Sequence, residues 1–386
     1  MAKETMKKTN SKKSSSGKST SGKSTSGKSS SGKSSSGKKG SSAKRAAKKR
    51  KRMIIFGVEA VLLLALIVGF YVIRQLDKIQ KPEVKAEEIQ VNPDIQETTV
   101  ETMSGYTNVA LFGLDTRKAG QLGKGNNSDT IIVASINNDT KEVKLVSVYR
   151  DTYLDLTNGK YNKCNAAYSA GGPKQAINML NKNLDLDIEY YVSVDFAALT
   201  QTVDLLGGIE IDVDETEIGH LNNYTVETSK VTGVETNKLT QPGLQLLDGV
   251  QATSYCRIRY TAGDDFKRTE RQREVIMEIV NKAKKADITE INEIINAVFS
   301  KIATNYTNDE LLSLAPQMIG YSIIDTQGFP FDKANGRISG KGAVVIPVNL
   351  ADNVRQLHEY LFDNQEYTPS EEVQMISDQI TSDTGY

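Results

Sequence analysis

Residues 107–153 read TNVALFGLDTRKAGQLGKGNNSDTIIVASINNDTKEVKLVSVYRDTY. Three apolar, β-rich runs lie in this stretch: Thr107–Phe112, Thr130–Ile136 and Lys141–Tyr149. Asn137-Asn138-Asp139-Thr140 between the second and third is a strong turn signal. If the first strand runs up, the second down and the third up, their ends coincide. Asp115 follows the top of the first, Asp129 precedes the top of the second, and Arg150 follows the top of the third. Two carboxylates and an arginine then meet on one rim of a sheet. Further along, Tyr190–Val194 and Ile209–Val213 read as short strands, with helical spacing over Pro173–Asn183 and Phe196–Leu206. Tyr255–Tyr260 reads as a strand leading into an amphipathic helix, Arg268–Lys285, with Val275, Ile276, Ile279 and Val280 on one face. More helices are expected at about 288–300, 307–319 and 350–363, and a late strand at Ala343–Val348. Strands mixed with helices throughout predict a three-layer α/β/α domain.

Charge divides the chain. It has 386 residues with 48 Lys/Arg and 48 Asp/Glu, yet residues 1–52 hold 18 basic residues and one acid. The first segment is therefore +17 and the rest −17. That separation excludes an ordinary cytoplasmic enzyme, and the apolar content after residue 52 excludes a wholly disordered chain. Residues 14–38 repeat SSSGK, STSGK, STSGK, SSSGK, SSSGK and have no apolar face to bury. Gly17–Ser24 (GKSTSGKS) matches the phosphate-loop pattern, but no buried strand precedes it and no helix pattern follows, so it reads as a flexible basic tail. Met53–Ile73 is 21 residues with one charge, Glu59. As a helix it would span about 31 Å, close to a bilayer's hydrocarbon thickness. It is too long for the apolar region of a cleaved leader and no small-residue cleavage site follows, so it reads as a retained signal-anchor. The basic flank at 44–52 places the N-terminus in the cytoplasm and the remainder outside. The expected organisation is a cytoplasmic basic low-complexity tail (1–52), a transmembrane helix (53–73), an extracytoplasmic stalk (74–103), a folded domain (104–365) and a polar C-terminal tail (366–386).

A second constellation is Arg257-Ile258-Arg259, followed by Asp264-Asp265-Phe266-Lys267-Arg268-Thr269-Glu270-Arg271-Gln272-Arg273. On a strand, Arg257 and Arg259 would point the same way. On the helix, Arg271 and Gln272 lie three and four residues after Arg268 and share its face. Clustered arginines grip phosphates through bidentate forks. Outside a cell membrane, nucleic acid is not the expected partner, whereas a pyrophosphate-bearing lipid or an anionic polymer fits. Two cysteines and two histidines exclude a disulfide-dense scaffold and a thiolate-rich zinc site. No G-x-S-x-G or H-E-x-x-H pattern is present, which argues against a Ser-His-Asp hydrolase and a zinc protease.

These residues, in this order, resemble the LytR-CpsA-Psr family of cell-envelope proteins. The matching pieces are VALFGLDTR (109–117), NSDTIIVASIN (127–137), VKLVSVYRDTY (143–153), YNKCNAAYSAGG (161–172), DIEYYVSVDF (187–196), VDLLGGIEIDV (203–213), LLDGVQATSYCRIRY (246–260) and DDFKRTERQR (264–273). The resemblance implies an enzyme that moves a glycopolymer, of teichoic-acid or capsule type, from a polyprenyl-pyrophosphate carrier to the 6-hydroxyl of N-acetylmuramic acid in peptidoglycan. It implies Mg²⁺ on Asp115 and Asp129, and pyrophosphate held by Arg150, Arg257, Arg259 and Arg268 with Gln272 and Arg271 beside them. Lys163 and Asn165 match a loop near the same site. The general base stays open between Asp129 and Asp265. Where the family often has an arginine before S-D-T, this chain has Asn127, so Lys124 or Arg117 would have to supply that contact. The polyprenyl chain needs an apolar slot, expected between the sheet and the helices at 173–183 and 196–206. Cys164 and Cys256 both adjoin residues of this site, so a disulfide is expected, closing a loop of about 90 residues; two buried thiols are the alternative. Arg273, turned away from Gln272 on the helix, is expected to be neutral. Two other functions fit the same site: a non-catalytic envelope regulator that binds the lipid intermediate, and a pyrophosphatase using water as acceptor.

Overall fold

The computed structural model describes residues 39–386 except Glu83, 117–118 and 260–263; the Ser-Gly-Lys repeat and Arg117 lie outside the described residues. The chain divides into a leading unit that ends at Leu66 and a second, Ile67–Tyr386. Helix α1 (Lys39–Leu76) contains one run, Ala47–Leu76, long and apolar enough to cross a membrane. The sheet and its helices belong to the second unit. There α2 (Glu97–Ser104) precedes strands β1 (Tyr106–Leu114), β2 (Ser128–Asn137), β3 (Glu142–Val148), β4 (Tyr153–Asp155) and β5 (Tyr161–Lys163). Then come α3 (Ala166–Leu184), β6 (Tyr190–Asp195), α4 (Phe196–Leu205), β7 (Ile209–Val213), α5 (Glu215–Thr232), β8 (Gly243–Leu247), α6 (Gly249–Tyr255), α7 (Asp264–Ala283) and α8 (Ile288–Val298). The chain closes with β9 (Ile302–Thr304), α9 (Asn308–Leu314), β10 (Ser322–Phe329), β11 (Lys333–Ile338), β12 (Gly342–Pro347), α10 (Leu350–Phe362) and α11 (Glu371–Thr384).

Six strands form the central mixed sheet in the order β10-β3-β2-β1-β6-β9. β2 runs antiparallel to both β1 and β3, while β6 is parallel to β1 and β10 parallel to β3. Strand residues alternate between faces, and here both faces are covered. Ile131 and Val133 pack with Ile177 and Leu180 of α3, Leu357 and Leu361 of α10, and Ile376 and Ile380 of α11. Their neighbours Ile132 and Ala134 pack on the opposite face with Val143, Leu145 and Ile276 of α7. A sheet buried on both sides between helices is the three-layer α/β arrangement that mixed strand and helix patterns predict.

Three elements differ from expectation. Residues 255–259 do not form a strand: α6 ends at Tyr255, and Arg257 N–H and Ile258 N–H donate to Ser254 and Tyr255 carbonyls in a turn; Tyr260 lies outside the described residues. The late strand is found as expected, as β12, and pairs with β11 in a separate hairpin, while β10 forms an edge of the central sheet. The 74–103 segment is not a free stalk. Leu76 and Ile79 are buried, Ile89 and Ile95 pack on the main core, and the Gln80 backbone exchanges hydrogen bonds with Ile302 and Thr304 of β9. Its apolar residues are sparse and irregular because the segment packs as short helical pieces joined by irregular chain, which leaves no sustained periodicity to read.

Nor is 366–386 a tail. Helix α11 buries Val373, Ile376 and Ile380 against the core, and Ser370 caps it by accepting from Val373 N–H. Buried Asp185 anchors both misread segments. Its carboxylate accepts from Tyr367 hydroxyl, from Ser370 N–H (2.8 Å) and hydroxyl (2.7 Å), and from Asn92 Nδ2 (2.6 Å). A buried carboxylate satisfied four times over is stable only if every donor stays in place. Ile376→Ala and Ile380→Ala should each lower the unfolding free energy by about 2–5 kcal/mol. That reads as a lower urea midpoint at unchanged slope, whereas Met375→Ala, exposed on the same helix, should change little.

Candidate functional site

The antiparallel order of β1, β2 and β3 brings Asp115, Asp129 and Arg150 to one rim. Gly113 stands opposite Thr130, and a Cβ on it would come within 2.9 Å of the Thr130 side chain, so the two strand ends close tightly only with glycine there. Asp115 N–H donates to the Asn127 carbonyl at 3.4 Å. Arg150 Nη1 straddles both carboxylate oxygens of Asp129, at 3.0 Å each.

Helix α7 joins the rim from above. Arg150 Nε lies 3.4 Å from Asp265, and Arg268 Nη1 donates to Asp265 at 2.9 Å. Arg268 also donates from Nη2 to the Asp129 carbonyl. Arg259 lies 3.7 Å from both Asp129 and Asp265. Three guanidinium groups thus share two carboxylates. Burial pushes the Asp265 carboxyl up, but Arg268, Arg150 and Arg259 outweigh it and hold the group below its ordinary value. Burial pulls Arg150 down, and Asp129, Asp265 and Asp151 more than restore it. Arg268 is the most enclosed, and burial leaves it lowered despite Asp265.

Arg257 has different partners from Arg259, as expected once no strand links them. It donates to Glu227 at 2.8 Å and to the Thr228 hydroxyl at 3.1 Å, and it lies 5.0 Å from the Phe196 ring and 5.4 Å from that of Tyr224. Glu227, Thr228 and Tyr224 belong to α5, a helix absent from the sequence reading. Its signal was there: Asp214 and Glu217 form a capping box, with each side chain satisfying the other's backbone N–H.

These side chains border a cavity of about 700 Å³. Asp115, Asp129, Arg150, Arg257, Arg259, Arg268 and Gln272 supply its polar lining; Leu111, Ile132, Val192, Leu199, Val275 and Ile276 supply its apolar wall. The slot therefore lies between the sheet and helices α4 and α7. The expected contribution of 173–183 is corrected: that helix packs on the other face of the sheet, in the main core. Gln272 donates to the Cys256 carbonyl at 3.3 Å.

Five further residues lie outside this lining. Arg271 is 1% exposed, its Nε bonded to Glu217 at 2.7 Å and its Nη1 to the Ile258 carbonyl at 3.2 Å; it ties α7 to α5 and does not line the cavity. Arg273 is 6% exposed rather than solvated. Lys163 and Asn165 border a second, polar cavity of about 390 Å³, which shares Asn127 and Arg150 with the first. Lys124 borders neither. The disulfide is also corrected: Cys164 and Cys256 are both free and buried. Each sits in a different core, Cys164 donating to the Tyr149 carbonyl at 3.2 Å and Cys256 packed with Val203, Ile258 and Val275.

For a metal, the donor chemistry is that of a hard cation. Asp115 and Asp129 face one cavity, and no described side chain hydrogen-bonds or ion-pairs with the Asp115 carboxylate. Among the described residues no group of three or more His, Cys, Asp or Glu forms a protein-only cage. One or two carboxylates completed by phosphate oxygens and water is the set Mg²⁺ takes, so these residues fit that ion.

Comparison with known proteins places this site in context. The model of the LytR_cpsA_psr family matches residues 67–355. A polyisoprenyl-teichoic acid–peptidoglycan teichoic acid transferase TagU of Enterococcus faecalis is 33% identical over 270 residues, 68% of this chain and 81% of that protein. The TagU of Bacillus subtilis is 30% identical over 206 residues, and the match spans 61% of its length. Biofilm regulatory protein A of Streptococcus mutans is 33% identical over 225 residues, 53% of its length. Among solved structures, a transcriptional regulator from Enterococcus faecalis superposes with a TM-score of 0.56 at 24% identity, covering 74% of this chain and 97% of that one. Bacillus subtilis TagV superposes at 0.52 and 25% identity, covering 68% and 98%.

Burial pushes the Cys256 thiol up to about 12 and raises that of Cys164 further. Both thiols should therefore stay protonated and inert toward a thiolate-specific reagent at neutral pH. Native protein should titrate as no reactive thiols and non-reduced, denatured protein as two; a disulfide would give none in either state.

Proposed function

The chain belongs to the LytR_cpsA_psr family, and from that premise we propose that it is a phosphotransferase moving a glycopolymer of teichoic-acid or capsule type from a polyprenyl-pyrophosphate carrier to peptidoglycan, at the 6-hydroxyl of N-acetylmuramic acid. One observation carries the reading. An apolar cavity opens onto a rim of four arginines and two aspartates, which matches a ligand that is hydrocarbon at one end and diphosphate at the other. The transferase name of the 33% identical relative, matched over most of its length, supports the same class. The basic residues at 44–52 support a cytoplasmic N-terminus with the residues that follow Leu76 outside the cell membrane.

In this mechanism the apolar wall holds the first isoprene units, and the pyrophosphate lies among Arg150, Arg257, Arg259 and Arg268. Phosphoryl transfer demands alignment and charge stabilisation more than covalent help. Arg259 is the least committed of these, with both its ion pairs at 3.7 Å, so it can turn to a phosphate without breaking a short bond. Arg257 is held by Glu227 and two rings and positions the lipid-side phosphate. Arg268, enclosed and bonded to Asp265, fixes the cluster. Mg²⁺ on Asp115 and Asp129 would supply a Lewis acid that neutralises the diphosphate.

Arg257→Ala and Arg259→Ala should each weaken binding of a short-chain polyprenyl pyrophosphate about ten- to hundred-fold, the loss of a charge-assisted bond of roughly 1.5–3 kcal/mol. Lysine at either position should restore part of this, because an ammonium cannot make the fork. Arg355→Ala, on an exposed side of α10, should bind as wild type. Asp115→Ala should abolish Mg²⁺-dependent transfer and leave the urea midpoint unchanged; full activity in that variant or in excess chelator would sink the metal assignment.

A further inference from the structure

The polar cavity beside the arginine cluster has no role in holding a lipid. It is bordered by Asn127, Arg150, Asp151, Asn162, Lys163, Asn165 and the Gly340–Lys341 turn. Amides, two lysines and one carboxylate are the groups that recognise a hydroxylated, acidic sugar rather than hydrocarbon. Asn127 and Arg150 border this cavity and the apolar one alike, so a phosphorus held at Arg150 is reached from both. Displacement at phosphorus places the attacking and leaving oxygens in line, on opposite sides. With the polyprenyl phosphate leaving into the apolar cavity, the attacking hydroxyl arrives from the polar one.

Among the described residues five carboxylates stand by these arginines, and only one opens to this side; Glu227, paired with Arg257, borders only the apolar cavity. Both oxygens of Asp129 are taken by Arg150, and Asp129 borders the apolar cavity. Asp265 borders neither cavity, and its oxygens are held by Arg268, Arg259 and Arg150. Asp115 borders only the apolar cavity. Asp151 borders the polar one, 3.2 Å from Lys163 and 3.8 Å from Arg150, and its carbonyl accepts from Val345 N–H at 2.9 Å, which fixes it against β12. Opposite it, Lys341 Nζ donates to the Tyr153 hydroxyl at 2.8 Å, and that hydroxyl donates to Asp383 of α11 at 2.7 Å.

We propose that this cavity is the acceptor subsite of the transferase reading above, taking an acidic, hydroxyl-bearing glycan, and that Asp151 is the base. The acceptor oxygen bonds to the phosphorus carrying the polymer. The bond from that phosphorus to the oxygen bridging it to the lipid phosphate breaks, and its electron pair leaves with polyprenyl phosphate. The hydroxyl proton passes to the Asp151 carboxylate. Lys163 and Lys341 hold the acceptor's acidic substituent, and Tyr153 and Asp383 position Lys341.

The test uses the full chain in lipid nanodiscs, a short-chain polyprenyl-pyrophosphate disaccharide as donor and uncrosslinked glycan strands as acceptor. Asp151→Asn should lower kcat by about 10²- to 10⁴-fold, the range of a lost general base, while donor Kd stays within about twofold. Asp151→Glu should recover part of kcat. Lys341→Ala should raise the acceptor KM about tenfold, with kcat and donor KM unchanged. Transfer by Asp151→Asn at the wild-type rate, or a loss of donor affinity as large as the loss of kcat, would overturn the assignment of the base. An unchanged acceptor KM in Lys341→Ala would overturn the subsite. Failure of the wild-type chain to transfer at all would instead overturn the transferase reading, and this proposal with it.

Discussion

Asp129 and Asp265 hold together charges that would otherwise repel. Arg150, Arg259 and Arg268 all lie within 3.7 Å of one or both carboxylates. Asp129 and Arg150 come from the sheet, Asp265 and Arg268 from α7, so the same bonds that neutralise the cluster seat the helix over the sheet. Val275 and Ile276, two turns further along that helix, thereby become a wall of the apolar cavity. Cluster and cavity are one construction.

Such a cluster contributes little to net stability, because desolvating ions costs about as much as their attraction returns. Its value is placement. Low dielectric beside an apolar cavity strengthens each remaining interaction, so an anion entering there would meet oriented guanidinium groups without prior rearrangement. The uneven commitment of the arginines matters. Arg268 is locked by Asp265 and the sheet, Arg257 by α5, and Arg259 only loosely, which separates the group that builds the site from the group free to follow charge.

Parts of this were readable from residues alone. The rim of Asp115, Asp129 and Arg150 is readable once the strands alternate in direction; the short turn between β2 and β3 forces that alternation, whereas the long connection 115–127 leaves the direction of β1 to its pairing with β2. The Tyr255–Tyr260 run was misread because Tyr, Ile and alternating arginines mimic a strand over six residues. The better signal was Asp248 followed by Gln251, a capping box that starts α6 and carries the chain into a turn. The segments at 74–103 and 366–386 looked unstructured because polar residues dominate them, yet a few apolar side chains and one buried carboxylate, Asp185, dock both. Sparse apolar residues give no period, and a buried hydrogen-bond hub leaves no trace in local pattern.

By itself the sequence determined the run long and apolar enough to cross a membrane, the order of strands and helices along most of the domain, and which residue types could meet at the sheet rim. These are local properties: apolar length, periodicity and turn chemistry act within a few residues. Tertiary structure decided which face of the sheet carries the apolar cavity, that Arg271 is a strut, that Lys163 and Asp151 open to a separate polar cavity, and that the two thiols lie in different cores. Arg268 and the Asp129 carbonyl it meets are 139 residues apart, and only the register of the sheet and the docking of α7 bring them together.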